Sequence, residues 1–237
     1  MKNLEISINR IESKNQKKVK IGHLKLVVLS LYIALSLISA IQIQAQEAEN
    51  ANFEAGIAAY QANNMSLAFK EFMEAAKSGH SDSQYNIGLM YEHGIGVVKD
   101  ASKAVVWYAK AAEQGNSDAE FNLGVLHENG MGTPVNYIKA REFYRKAASH
   151  GDALAIGNLG MLYVRGQGVK QNKILGVALL LVSATNDPSP QNNASQNITA
   201  TRGLTTEMIM EAKSLSEELN SASNILVPLD AYLKNES

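Results

Sequence analysis

A period of thirty-six residues constrains this chain more than any other feature. Residues 82–115 read DSQYNIGLMYEHGIGVVKDASKAVVWYAKAAEQG, and residues 118–151 read DAEFNLGVLHENGMGTPVNYIKAREFYRKAASHG. A third copy begins at Leu154. The register is strict in the columns Gly79, Gly115 and Gly151; Gly88, Gly124 and Gly160; and Ala76, Ala112, Ala148 and Ala184. It holds also for the Gly-x-Gly triplets at Gly94, Gly130 and Gly166. Self-similarity at this period marks a solenoid, in which each unit buries its apolar face only by stacking on its neighbours.

Each unit reads as two helices. The first, helix A, covers about residues 82–92 in the first full copy, where Tyr85, Ile87, Leu89, Met90 and Tyr91 are apolar on two faces. Helix B covers about 101–113, with Ala104, Val105, Tyr108, Ala111 and Ala112 on one helical stripe. Asp100 is placed to cap helix B, because its carboxylate accepts an orphan backbone N–H. Gly115 falls where a left-handed residue closes a helix. Gly88 lies inside helix A, where glycine costs about 1 kcal/mol relative to alanine. A cost repeated in every unit implies close helix–helix approach.

A shorter unit comes first, over residues 53–79, with a turn at Asn63-Asn64 in place of the Gly-x-Gly loop. It is expected to cap the N-terminal end of the stack. The period stops after the third copy. Ser189 and Pro190 are expected to start a polar helix running to Arg202, closed by Gly203. Thr205 is expected to cap an amphipathic helix over 206–219, with Met208, Ile209, Ala212, Leu215 and Leu219 on its apolar stripe. Ile225, Leu226, Val227, Leu229 and Leu233 imply that the C-terminal segment docks.

The repeated residues resemble the Sel1-like repeat family, a branch of the tetratricopeptide-type solenoids. The resemblance rests on Asn86-Ile87-Gly88-x-x-Tyr91-x-x-Gly94-x-Gly96-Val97, followed by Lys103-Ala104-x-x-Trp107-Tyr108-x-Lys110-Ala111-Ala112-x-x-Gly115. It recurs from Asn122-Leu123-Gly124 and from Asn158-Leu159-Gly160. The departures are His127 for Tyr91, Thr133 for Val97, Gly157 for Tyr85 and Gly176 for Ala104. They make the third unit the least regular and point to a bent or weaker one. The resemblance implies an all-α, right-handed solenoid of helix-turn-helix repeats with C-terminal capping helices. The domains expected are a leader over 1–45, a tetratricopeptide-like unit over 46–79, three Sel1-like units over 80–185 and a cap over 186–237.

Charge separates the leader from the rest. Residues 1–45 hold seven Lys/Arg and two Asp/Glu, and residues 46–237 hold fifteen and twenty-one. An acidic body argues against a nucleic-acid partner, which requires clustered cations to displace phosphate counterions. The leader places Lys14, Lys17, Lys18, Lys20 and Lys25 before an apolar run over 26–41. That run suits a signal h-region and is short for a spanning helix. Ala45 is the expected last residue before cleavage. A cleaved signal, an uncleaved anchor and a buried helix are the three readings, in that order. The first two place the repeats in the periplasm or outside the cell, since positive charge stays inside.

Catalytic chemistry finds little foothold. The chain has no cysteine, so neither disulfide nor thiolate metal site exists. The Gly-x-Gly triplets recur with the period and read as turns, not as a phosphate loop. His80, His93, His127 and His150 occupy different register positions, which argues against a metal cluster. The body lacks a Ser-x-x-Lys arrangement. Glu92 and Glu128 resemble a carboxylate pair but read as a solvated edge. The asparagine column Asn86, Asn122 and Asn158 reads as hydrogen bonding between units, and Trp107 as packing between them. No cofactor is expected.

Function is therefore expected from shape. If helix A follows the geometry of tetratricopeptide relatives, the groove is lined by Tyr85, Leu89 and Glu92, then Phe121, Val125 and Glu128, then Met161. Aromatic and apolar side chains flanked by carboxylates suit a peptide or protein segment of apolar or basic character. The family resemblance implies an exported interaction scaffold. The alternatives are a hydrolase acting on cell-wall material or β-lactams, and a regulator tethered to the membrane by its leader.

Overall fold

The computed structural model describes residues 31–32, 34–44 and 46–235 and divides into two compact units, 1–51 and 52–237. In the first unit the described residues are helical. Leu31, Tyr32, Leu35, Leu37, Ile38, Ile41 and Ile43 are each more than half exposed there. Among the described residues no helix is long and apolar enough to cross a membrane. The expected cleavage residue Ala45 and the leader's lysines lie outside the described residues.

The second unit is helical throughout, with no strand among the described residues. Four antiparallel hairpins follow one another: α1 (52–61) with α2 (Met65–Ser78), α3 (Ser81–His93) with α4 (Ala101–Glu113), α5 (Ser117–Asn129) with α6 (Tyr137–Ser149), and α7 (Ala153–Arg165) with α8 (Lys173–Asn186). Helices α9 (Ala194–Ala200), α10 (Thr206–Ser221) and α11 (Leu226–Asn235) complete the chain.

Caps set the boundaries. Asp100, Asn136 and Asn172 each accept the backbone N–H three residues on and start α4, α6 and α8. His80, Asn116 and Asp152 do the same for α3, α5 and α7. Each such cap is worth about 1 kcal/mol. The short first turn is made by Asn63, at φ 58, and Asn64, whose side chain caps α2. Between α3 and α4 the loop needs two left-handed residues, Gly94 and Gly96. The second also lies against the Met65 carbonyl at the start of α2, so the loop of one unit packs on helix B of the unit before.

Alanine columns hold the stack together. Ala76, Ala111, Ala112, Ala147 and Ala148 are buried at the helix crossings. Trp107 packs against the core of the unit before its own, with Lys110 Nζ 4.0 Å from its ring centre. His127 is buried and stacks on Phe143 at 5.6 Å. Both are packing residues.

The third unit departs from expectation. It is closely packed, because Gly176 brings α8 against Gly160 of α7: a methyl group on Gly160 would stand 2.7 Å from the Gly176 carbonyl oxygen. Leu159, Leu162, Leu175 and Leu179 are fully buried around this crossing. The irregular glycines therefore tighten the unit.

The cap also differs in detail. The expected helix from Pro190 to Arg202 begins only at Ala194 and ends at Ala200. Asn192 is the reason. Its buried amide donates to the Ser183 and Asp187 carbonyls at 2.9 and 2.8 Å and its oxygen accepts from Ala194 N–H, which fixes a turn where the helix was expected. Thr205 caps α10 as expected. Ala212, Leu215 and Leu219 are buried on α10, but Ile209 is 48% exposed, so the stripe is narrower than the sequence implied. Leu229 buries α11, and Asp230 takes both its oxygens to Arg145 Nη2 at 2.7 and 2.9 Å.

Candidate partner-binding face

The face built by α3, α5 and α7 follows from the helix A glycine. Gly88 has no Cβ, and a Cβ built there would lie 2.5 Å from the Tyr108 ring. The ring therefore lies directly on the α3 backbone. That contact carries the Tyr108 hydroxyl one turn along α3, where it donates to Glu92 at 2.7 Å. The next unit repeats the device: Tyr144 lies on Gly124 and donates to Glu128 at 2.7 Å.

Burial is the first cause, and the neighbouring carboxylates the second, of a strong upward shift of the Tyr108 phenol. The same two causes raise Tyr144. Both phenols stay protonated and act as fixed donors. Asn122 and Asn158 from the following unit oppose part of this shift at Tyr108 and Tyr144 respectively. Two members of the asparagine column thus lie near the tyrosines of the unit before.

The seven expected face residues occupy comparable but unequal positions. Tyr85 is half-buried, 5.8 Å ring to ring from Tyr108. Phe121 is its copy, 6.1 Å from Tyr144. Leu89 and Val125 are half-buried against the cores of their units. Glu92 and Glu128 are not a simply solvated edge, since each is held by a tyrosine. Glu128 also faces Arg165 at 3.7 Å. Met161 is different: it packs in a cluster with Val164, Leu180, Ala194 and Ile198. Helix α9 thus covers the third copy of the column.

A cavity of about 240 Å³ lies at this covered end, lined by Phe121, Gly157 and Asn158 on one side and by Gln191, Asn193 and Asn197 on the other. The open part of the face is confined to α3 and α5. Asp82 and Asp118 are exposed beside it, and Asp82 accepts from Asn116 at 3.1 Å. The arrangement offers aromatic and aliphatic surface, fixed carboxylates and no nucleophile with an adjacent base. Among the described residues no group of three metal-capable side chains gathers anywhere.

Sequence reading missed Tyr108 and Tyr144 as the groups that set the glutamates. The signal was present: after the helix A glycine, a glutamate four residues later and a tyrosine sixteen after that glutamate recur together in two units and are lost together in the third, where Val164 and Leu180 follow Gly160.

Comparison with known proteins agrees with this architecture. The Sel1 repeat model matches residues 81–116, 117–152 and 153–187. A Sel1 repeat protein from Oxalobacter formigenes is similar at TM-score 0.61 and 29% identity, over 80% of this chain and 84% of that one. A protective antigen of uropathogenic Escherichia coli displaying an SLR fold is similar at TM-score 0.51 and 25% identity, over 80% of this chain and 49% of that one. DAP3-binding cell death enhancer 1 of Rattus norvegicus is 54% identical over 39 residues, which is 16% of this chain and 8% of that protein. Sel1-repeat proteins are in general protein-interaction scaffolds, and the repeat is a non-catalytic fold. Residues 81–187 of this chain are thus three stacked Sel1 repeats.

Proposed function

We propose that this protein is an exported scaffold that binds a peptide or protein segment of apolar and basic character on the α3/α5 face. One observation supports this most: two successive units each present a half-buried aromatic (Tyr85, Phe121), an aliphatic residue (Leu89, Val125) and a glutamate immobilised by a buried tyrosine. Preorganised side chains lose little freedom on binding, which favours affinity. Tyrosine and phenylalanine supply contact area at low entropic cost. Carboxylates held in place favour Lys or Arg on the partner. A repeat of the same chemistry along the stack fits an extended segment with basic residues spaced along it.

Export rests on the leader, whose lysines precede an apolar run and whose described apolar side chains are exposed. A helix with apolar groups on every side is suited to an apolar medium. The proposed location is the periplasm or the cell exterior, with the leader cleaved near Ala45.

The test is affinity capture with the fragment 46–237, which carries every core cluster of the described chain. The proposal requires a partner recovered by the wild-type fragment and lost with Tyr85→Ala plus Phe121→Ala, in variants that still melt cooperatively. Retention of the partner by the double variant would remove the face from the proposal. N-terminal sequencing of the mature protein tests export: a first residue near Gln46 is expected, and an intact Met1 would contradict cleavage.

A further inference from the structure

Two arginines occupy positions that the repeat reserves for apolar packing. Arg141 stands where the other units have Val105 and Val177, and Arg145 where they have Ala109 and Leu181. Val177 is buried, and Val105, Ala109 and Leu181 pack against the cores of their units. Guanidinium groups at such positions need partners, because a buried charge is costly when unpaired.

Arg145 is accounted for. Its Nη2 donates to both carboxylate oxygens of Asp230 on α11. Arg141 is not. Its Nη1 donates to the Gly168 carbonyl at a long 3.3 Å, and its Nε is buried with no acceptor.

Arg141 lines a cavity of about 360 Å³ between α6, the loop before α8 and α11. Lys170 adds a second cation, Gln171 and Asn172 add polar groups, and Val169 and Leu233 form apolar walls. No Asp or Glu among the described residues lines it. Glu142 and Asp230 line the adjoining space of about 520 Å³ instead. The cavity is therefore cationic within a chain body that is acidic overall. Its size falls in the range of small-ligand sites, roughly 300–1,000 Å³.

We propose that this cavity is a second binding site, separate from the α3/α5 face, for a carboxylate carried on a short apolar body. The guanidinium of Arg141 matches a carboxylate in shape and charge. Lys170 adds attraction without demanding geometry, and Val169 and Leu233 cover the apolar body. The carboxylate belongs either to a small free acid or to the C-terminus of a peptide.

Arg141→Val separates binding from folding, because valine is the residue that the other two units carry in this column. Isothermal titration of the full chain at constant ionic strength uses three probes: benzoate, acetyl-Gly-Phe and inorganic phosphate. Saturable one-site binding of benzoate or acetyl-Gly-Phe is expected, weakened by about tenfold or more in Arg141→Val, which corresponds to about 1.4 kcal/mol or more. Lys170→Gln is expected to weaken it less, by about threefold. The tighter of the two carboxylates identifies the source. Absence of saturable binding to the wild type, equal binding by Arg141→Val, or phosphate binding as tight as either carboxylate would each overturn the assignment.

Discussion

Gly88→Ala isolates the contact from which the candidate face is built. Helix propensity alone predicts a gain of about 1 kcal/mol, since alanine is the better helix former. The structure predicts the opposite sign. The new methyl would stand 2.5 Å from two Tyr108 ring carbons, so the ring must move away from α3. Overpacking of this kind costs about 1–3 kcal/mol. Displacing the ring also strains or breaks the 2.7 Å bond to Glu92, and a hydrogen bond to a charged group is worth about 1.5–3 kcal/mol. The net loss is about 1.5–5 kcal/mol after the propensity gain is subtracted. In a unit of this size that lowers Tm by roughly 3–20 °C. Thermal melts followed by far-UV circular dichroism measure it. Tyr108→Phe in both backgrounds completes a double-mutant cycle, in which the glycine substitution should cost less once the hydroxyl is gone. Gly88→Ala as stable as the wild type, or more stable, would refute the close approach.

Gly160→Ala should be worse tolerated, because the obstruction is the Gly176 backbone carbonyl and not a movable ring; a loss above that of Gly88→Ala is expected in the same melts. Glu120 is buried, with Oε2 unpartnered and His150 Nε2 3.7 Å away. Burial raises its pKa, so the folded state holds the proton longer than the unfolded chain, and stability falls as pH rises between the two values. Glu120→Gln restores the chemistry of Gln84, which donates to the Ala76 carbonyl and accepts from Gln114. It should add about 1 kcal/mol above the carboxylate range and flatten the pH dependence there; a lower Tm at pH about 8 would contradict this. Arg145→Ala removes the two contacts to Asp230 and should speed amide exchange in α11 while leaving α3 and α4 unchanged. The half-exposed pair makes the global cost about 1 kcal/mol.

The sequence exposes most of the architecture because a solenoid writes its contacts periodically. Gly88, Ala112 and Gly115 predict hairpins, crossings and turns by column alone, and Asp100 marks the cap just before α4. Non-periodic features were not legible in that way. Asn192 delays α9 through bonds to Ser183 and Asp187 that no local pattern announces. Gly176 looked like weakness and is instead the contact that lets α7 and α8 approach. On the candidate face, Tyr85, Leu89, Phe121 and Val125 are proposed by analogy of position, but the covering of Met161 by α9 depends on where the chain returns. The glutamates looked solvated because their tyrosine partners lie on the other helix of each hairpin.

Site-specific photo-crosslinking tests partner binding on the α3/α5 face most directly. A photoreactive residue is placed at Leu89 or Val125 on the face, and at Val106 or Ile138 on the exposed sides of α4 and α6. Crosslinks to the captured partner are expected from positions 89 and 125 and not from 106 and 138. Crosslinks confined to 106 and 138 would contradict the assignment of the α3/α5 face.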